Sequence, residues 1–493
     1  MAREGLEVTL LEAREELGGR AGRWHADGFT FDTGPSWYLM PEVFDHFFRL
    51  LGTSSQEQLD LVRLDPAYRV YFEGDPQPFT LPADDAAGAL RALDVAASAR
   101  LDDYLASARQ TYELATERFL YSTFASLAPL MSGDMVPRLP RLGRLLAEPL
   151  DRFIRRHSSD PRVQQVLGYP AVFLGTSPAA APSMYHLMSH LDFGQGVLYP
   201  RGGFGAVIDA IAGLAEAQGT RLRTGSRVRR IVVERGRVTG VEAALAEGGV
   251  QHIPADVVVS AADLHTTEHA LLAPEHRSHP ASWWARRNPG PGAVLALLGV
   301  RGELPELAHH TLFFAERWEE GFEAIYGADK RIPDPASLYV CRPSATDDVA
   351  PPGHENLFVL VPVPADPTIG AGGTDGRGAP AVERTVDAAI AQIGEWAGIP
   401  DLNERVVVRR SIGPADFERE YGAWQGGALG PAHTLRQSAF LRASNASSRV
   451  RGLLHAGATT IPGIGLPMCL ISAELVVKRL RGDRSAGPLA EPL

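Results

Sequence analysis

The sequence predicts an α/β protein of two or more domains, and three observations carry that prediction. The chain has 493 residues, more than one hydrophobic core organises. Residues 7–12, Glu-Val-Thr-Leu-Leu-Glu, form an apolar run that ends in a carboxylate and is followed by a glycine-rich turn. Patterns of period 2 and period 3.6 then alternate to the C-terminus, as interleaved strands and helices do. With 45% hydrophobic and 22% charged residues, disordered, collagenous and coiled-coil classes are excluded.

The elements follow in order. Gly5 stops a short helix end, and residues 7–12 are a buried strand. Leu17-Gly-Gly-Arg-Ala-Gly22 is a turn, residues 29–32 a short alternating strand, and Thr33-Gly-Pro-Ser36 a second turn. Residues 41–51 carry Val43, Phe44, Phe47, Phe48 and Leu51 at helical spacing. Residues 61–73 are strand-like, with Tyr68, Val70 and Phe72 alternating. From 83 to 191 the pattern is helical. A glycine-rich entry at 197–205 leads into a helix over 206–218. A strand meander follows at 221–224, 228–234, 238–245 and 257–261. Residues 265–404 mix strands (293–300, 357–362) with helices such as 381–396. The chain then returns to a strand at 452–457 and a helix at 471–480.

Charge and composition narrow the partners. Net charge is −11 and the pI is about 5.8, so a phosphate backbone is a poor partner and no nucleic acid is expected. Cys341 and Cys469 are the only cysteines; a disulfide framework and a Cys-based zinc site are excluded, and a reducing cytoplasm fits. No apolar leader opens the chain. Two long stretches, 168–191 and 452–473, carry no formal charge, but Pro and Gly interrupt both, so neither reads as a membrane span. The histidines are scattered, and His309-His310 has no partner at ligand spacing; no metal site and no catalytic acid, base or nucleophile is assigned.

The chemistry begins at Glu12. In a βαβ dinucleotide site, the acid at the end of the second strand accepts the adenosine ribose hydroxyls. A Gly-x-Gly-x-x-Gly fingerprint belongs about 20 residues earlier, which places it before Met1. The first strand and phosphate loop are thus expected upstream of this chain. Gly18 and Gly19 let backbone approach a pyrophosphate, and the guanidinium of Arg20 can pair with its oxygens.

Glu12, Gly18-Gly19-Arg20 and Phe31-Asp-Thr-Gly-Pro-Ser36 together resemble the flavin amine oxidase and phytoene desaturase superfamily. Gly34 to Glu42, Leu64 to Val70, Tyr199 to Ala206, Ser260-Ala-Ala-Asp263, Tyr421-Gly-Ala423 and His455 to Gly463 are similar to bacterial phytoene desaturases, and the likeness spans 1 to about 480. Gly457-Ala458 stands where amine oxidases carry Gly-Asp, which favours the carotenoid branch. The resemblance implies a Rossmann-like FAD-binding domain, here without its first strand and phosphate loop, and a mixed helix/sheet substrate domain. Residues 1–80, 195–264 and 405–481 are assigned to the first, 81–194 and 265–404 to the second, and 482–493 to a flexible tail.

It further implies that Glu12 binds the ribose, that Gly18, Gly19 and Arg20 line the diphosphate, and that Gly34, Pro35 and Ser36 line the flavin end. Val228 would meet the adenine through its backbone, and Gly457 the pyrophosphate and ribitol. Pro467 and Met468 would open a helix whose N-terminus faces the flavin. The implied reaction is desaturation of phytoene toward lycopene at a membrane surface; a carotenoid ketolase, isomerase or saturase, or an inactive form, stand as alternatives. The apolar stretches 169–174 and 184–191 suit a hydrocarbon tunnel and plain core equally.

Overall fold

In the computed structural model, which describes residues 1–125, 135–245 and 248–493, the run at 7–12 forms the strand Thr9–Leu11. It pairs in parallel with Arg221–Arg223, Thr9 opposite Arg221 and Leu11 opposite Arg223. A second parallel pair joins Val258–Ser260 to Leu453–His455. Parallel neighbours need a crossover between them, so partners come from distant parts of the sequence. The helix Gly203–Ala217 leads directly into Arg221–Arg223. The expected meander is an antiparallel sheet of Arg227–Glu234, Arg237–Ala244 and Val250–Pro254, the last an additional strand. Arg235 and Gly236, at φ 49° and 74°, make its tight first turn.

The largest sheet has seven strands, in the order Val406–Ile412, Gly292–Arg301, His354–Val363, Leu338–Cys341, His310–Phe314, Tyr68–Phe72 and Phe79–Leu81. Only His310–Phe314 with Tyr68–Phe72 is a parallel pair. Both faces of its middle are buried. Ala293, Leu295, Leu297 and Phe358 pack on one face, and Val294, Ala296, Leu298, Leu357 and Val359 on the other. The second face is covered by helix Pro380–Ala397 through Val382, Val386, Ile390 and Ile393. Burial on two sides is why residues 293–300 read as one apolar run without alternation.

Two boundaries differ from expectation. Tyr68–Phe72, Phe79–Leu81 and Val406–Ile412 hydrogen-bond within the seven-stranded sheet, so domain limits at 80 and 405 do not coincide with its edges. Local alternation marks a strand but not its neighbours. Residues 482–493 are also not a loose tail. Lys478 is fully buried and donates to the carbonyls of Tyr121, Ser485 and Gly487 at 2.8, 3.0 and 2.5 Å. The Leu489 N–H donates to Glu474 Oε1 at 2.6 Å, and Leu489 packs with Leu50 and Val477. A buried ammonium needs acceptors, and the chain end supplies two of them.

The helical section holds Ala86–Leu93, Ser98–Arg118, Leu139–Ala147, Leu150–Arg155 and Pro161–Gly168; its expected continuation over 126–134 lies outside the described residues. The uncharged stretch 168–191 breaks into short turns, Pro170–Phe173 and Ser183–Met188. Among the described residues no helix is long and apolar enough to cross a membrane.

Candidate functional site

One cavity of about 1750 Å³ runs between these elements, and all eleven residues singled out from the sequence lie on its wall: Glu12, Gly18, Gly19, Arg20, Gly34, Pro35, Ser36, Val228, Gly457, Pro467 and Met468. They come from the end of the first strand, two turns, the meander, the segment after strand Leu453–His455 and the last helix. Glu12 sits at the strand end. Its N–H donates to the Arg223 carbonyl at 2.9 Å, its own carbonyl accepts from Ser226 N–H at 2.7 Å, and its Oε1 accepts from Arg14 N–H at 2.9 Å. These bonds hold the strand end against residues 223–226, just before the meander strand that carries Val228.

The glycines are needed for space. Gly18 has φ 106°, and a Cβ there would stand 2.7 Å from the Ala21 carbonyl oxygen. Ala21 N–H donates to Gly18 O at 2.9 Å, closing the turn. A Cβ on Gly34 would collide with the Arg20 carbonyl, so the two motifs meet backbone to backbone. Arg20 reaches the Gly427 carbonyl at 3.4 Å with Nη2, and its buried Nε has no partner among the described residues. Arg14 and Arg20 stand 5.1 and 5.8 Å from the ring centre of Tyr421. Two guanidiniums held against one ring, with buried N–H groups to spare, suit a diphosphate. At the other end of this segment Ser36 Oγ lies 2.7 Å from the Tyr339 hydroxyl.

Gly457, at φ 101°, donates its N–H to Ser472 Oγ at 2.7 Å, which ties the strand Leu453–His455 to helix Leu466–Arg481. Pro467 and Met468 form that helix's first turn, where a proline costs no hydrogen bond. Asp263 caps the helix Leu264–Ala270, its Oδ1 accepting from His265 N–H at 2.9 Å; burial raises its pKa and the positive charge of Arg20 lowers it.

The rest of the wall is hydrocarbon. Phe173, Leu174, Met184, Leu187, Met188 and Leu191 face the cavity, while Tyr169 and Ala171 are buried in core. The stretches 169–174 and 184–191 therefore divide between tunnel and core. From the seven-stranded sheet come Ala293, Leu295, Phe358 and Leu360.

Three features were not visible in the sequence. Asp192 is buried in the π-helical turn Leu191–Gln195 and accepts from the Tyr169 hydroxyl at 2.5 Å; burial pushes its pKa up to about 7. His433 lines the cavity with Tyr185, although 248 residues separate them. Finally, His310 stands opposite Cys341 in the antiparallel register, so His309, His310 and Cys341 bring ligand-type atoms within 4.8 Å of one another. Spacing along the chain could not show this. Burial holds the thiol up at about 12 and His309 down at about 3, with Arg342 adding to the latter, so the trio is neutral; His310 stacks on Trp37 with ring centres 4.2 Å apart.

The family described as flavin containing amine oxidoreductase matches residues 1–481. The chain is 39% identical over 485 residues to a carotenoid 3,4-desaturase of Haloarcula japonica, covering 98% of this chain and 95% of the relative. It is 33% identical to a zeta-carotene-forming phytoene desaturase of Myxococcus xanthus, covering 97% and 90%. A phytoene dehydrogenase of Streptomyces griseus is 32% identical, covering 98% and 92%. Among solved structures, an oxidoreductase of Methanosarcina mazei shares the fold at TM-score 0.59 and 16% identity, covering 97% and 95%. Putrescine oxidase bound to putrescine does so at 0.58 and 13%, covering 97% and 94%.

Proposed function

From the premise that this chain belongs to the flavin-containing amine oxidoreductase family, alongside carotenoid desaturases, we propose that it desaturates phytoene toward lycopene with FAD as its oxidant. The chain is a flavin-dependent oxidoreductase acting on CH–CH bonds of carotenoids. The observation that carries the finer reading is the single cavity whose wall is a dinucleotide cradle at one part and hydrocarbon elsewhere.

The cradle fits FAD: the space beside Gly19 on the cavity wall is open, with no atom within 4 Å of a Cβ position there, and the Arg20 Nε is buried without a partner among the described residues. Glu12 would hold the ribose hydroxyls, Gly18, Gly19 and Arg20 the diphosphate, and Val228 the adenine. Gly34, Pro35, Ser36, Gly457, Pro467 and Met468 would line the ribitol and flavin. A bound FAD would supply the two-electron oxidant for this desaturation, in which one allylic carbon gives up a hydride and its neighbour a proton. The chain's own part is to align the substrate and exclude water. Phe173, Leu187, Met188, Leu295 and Phe358 do so without offering a polar contact. A polyene has no polar handle, so position is all that selects the bond. One apolar tunnel can repeat the reaction, because each product is as apolar and extended as its precursor.

A carotenoid reaches such a cavity from a lipid phase, so we place the protein on a membrane surface. Phe440 and Leu441 are 59% and 42% exposed, and Phe440 lies 6.3 Å from Phe124 on the cavity wall.

The Haloarcula relative supports a second reading, in which the substrate is already conjugated and is desaturated at a 3,4 bond. Incubation of FAD-loaded protein with phytoene in liposomes, followed by absorption spectra and chromatography, separates the two. Formation of longer-wavelength carotenes from phytoene supports the first. Untouched phytoene, with an already conjugated carotene converted, gives the second. A keto group or a change of geometry in that carotene refutes both.

A further inference from the structure

His433 is 5% exposed, and both its ring nitrogens are engaged. Nε2 stands 3.2 Å from the backbone N of Ile464, and a backbone N–H can only donate. Nε2 is therefore the unprotonated nitrogen. The proton of the neutral ring sits on Nδ1 and is donated to the Tyr185 hydroxyl, 2.7 Å away. Tyr185 in turn donates to Ser438 Oγ at 2.9 Å, and Ser438 to the Thr434 carbonyl at 2.8 Å. The direction of every bond in this chain follows from the first. The ring stays neutral because it is buried and because Arg442 stands nearby with its charge.

The surroundings leave this arrangement little freedom. His433's own N–H donates to the Leu174 carbonyl at 2.9 Å. Gly463 has φ 143°, and a Cβ there would overlap the imidazole ring, so residue 463 is shaped to His433. Arg442 donates to the carbonyls of Ala458 and Thr460 at 2.6 and 3.0 Å. The loop from 457 to 465 thus has carbonyls held by Arg442 and one N–H held by His433. That N–H belongs to the residue just before Gly465, the N-cap of helix Leu466–Arg481, where φ is 115°. Gly465, Leu466, Pro467 and Met468 face the cavity there.

We propose that His433, fixed as its Nδ1–H tautomer by the Ile464 N–H and oriented by Tyr185, is a positioning residue for the flavin: it holds the Ile464–Gly465 turn so that the N-terminus of the last helix faces the bound ring system. This rests on FAD occupying the cavity as proposed above. Helix N-termini stabilise negative charge, and a flavin gains negative charge on reduction. Loosening the turn should therefore make the flavin harder to reduce as well as less tightly bound.

The test uses the full chain loaded with FAD, and compares His433→Phe, His433→Gln and Tyr185→Phe with wild type. Gln can accept from Ile464 N–H with its carbonyl and donate with its amide, so it should restore what Phe removes. Tyr185→Phe strips the acceptor from Nδ1–H, so the ring loses the bond that orients it toward Ile464. Readouts are FAD dissociation, the reduced-to-oxidised flavin ratio against a reference dye, and hydrogen exchange at the Ile464 amide. The expected result is a ratio lowered roughly two- to fivefold in His433→Phe and Tyr185→Phe, faster exchange at Ile464, and near-wild-type values in His433→Gln. Should His433→Phe fail to fold, the other two variants decide. Wild-type flavin ratios in Tyr185→Phe, with thermal stability alone reduced, would overturn the proposal. Failure of the wild type to bind FAD would overturn the cofactor assignment instead.

Discussion

Replacing Asp192 by Asn should make the protein more stable above neutral pH and leave it nearly unchanged below about pH 4. The carboxyl is 4% exposed, and burial raises its pKa from 3.8 to about 7. The folded chain therefore keeps a proton that the unfolded chain releases between about pH 4 and pH 7. Stability falls as pH rises through that window and levels off above it. The full linkage amounts to about 4 kcal/mol, taken as an upper bound because a carboxylate at this site draws in water and neighbouring dipoles. Asn has the same shape and no charge. Its carbonyl can keep the bond from Tyr169, and its amide can meet the Tyr68 hydroxyl, which faces the same carboxyl. Chemical denaturation of both proteins at pH 5 and pH 8, with FAD at the same saturation, reads the difference. Burial also raises Asp32 to about 6, but that group is common to both proteins and cancels. The variant should gain on the order of 2–4 kcal/mol relative to wild type between the two pH values. Parallel stability curves across that range would show that Asp192 does not carry this linkage.

Glu12→Gln should weaken FAD by about 1.5–3 kcal/mol, roughly ten- to a hundredfold in the dissociation constant, through loss of charge-assisted hydrogen bonds to the ribose; calorimetric titration checks it. Gly34→Ala should abolish flavin retention on purification, because a Cβ cannot coexist with the Arg20 carbonyl and neither backbone has a flexible side chain to yield. Phe440→Ser with Leu441→Ser should reduce liposome binding several-fold in a sedimentation assay. Binding of the wild type should persist in high salt, since the net charge of −11 opposes attraction to anionic lipid; release by salt alone would contradict apolar insertion.

The parts of the site readable in the sequence are those whose geometry is local. Glu12 ends a strand and is followed by its glycine turn, so the candidate residues from Glu12 to Arg20 stand within a few positions of each other. The elements around them were legible for the same reason, as at residues 41–51, where helix Pro41–Leu50 forms. What could not be read is neighbourhood. Cys341 faces His310 only through strand register. Tyr185 meets His433 only because Pro431 to Arg442 packs against the turns after 168. The chain end at 482–493 reads as a tail by composition, and it is held in place by a buried lysine whose need for acceptors is not a sequence pattern.

The hydrocarbon wall marks the deeper limit. Tyr169 and Phe173 are one helical turn apart and equally apolar in pattern, yet Tyr169 is core and Phe173 faces the cavity. Hydrophobic periodicity records that a face leaves water; it does not record whether protein or ligand covers it. For a polar substrate, the site would betray itself by unpaired donors and acceptors. For a polyene, tunnel and core use the same side chains and the same driving force. The two are told apart only where packing stops, so the place proposed for the substrate emerges from the fold, and the residues proposed for the cofactor from the sequence.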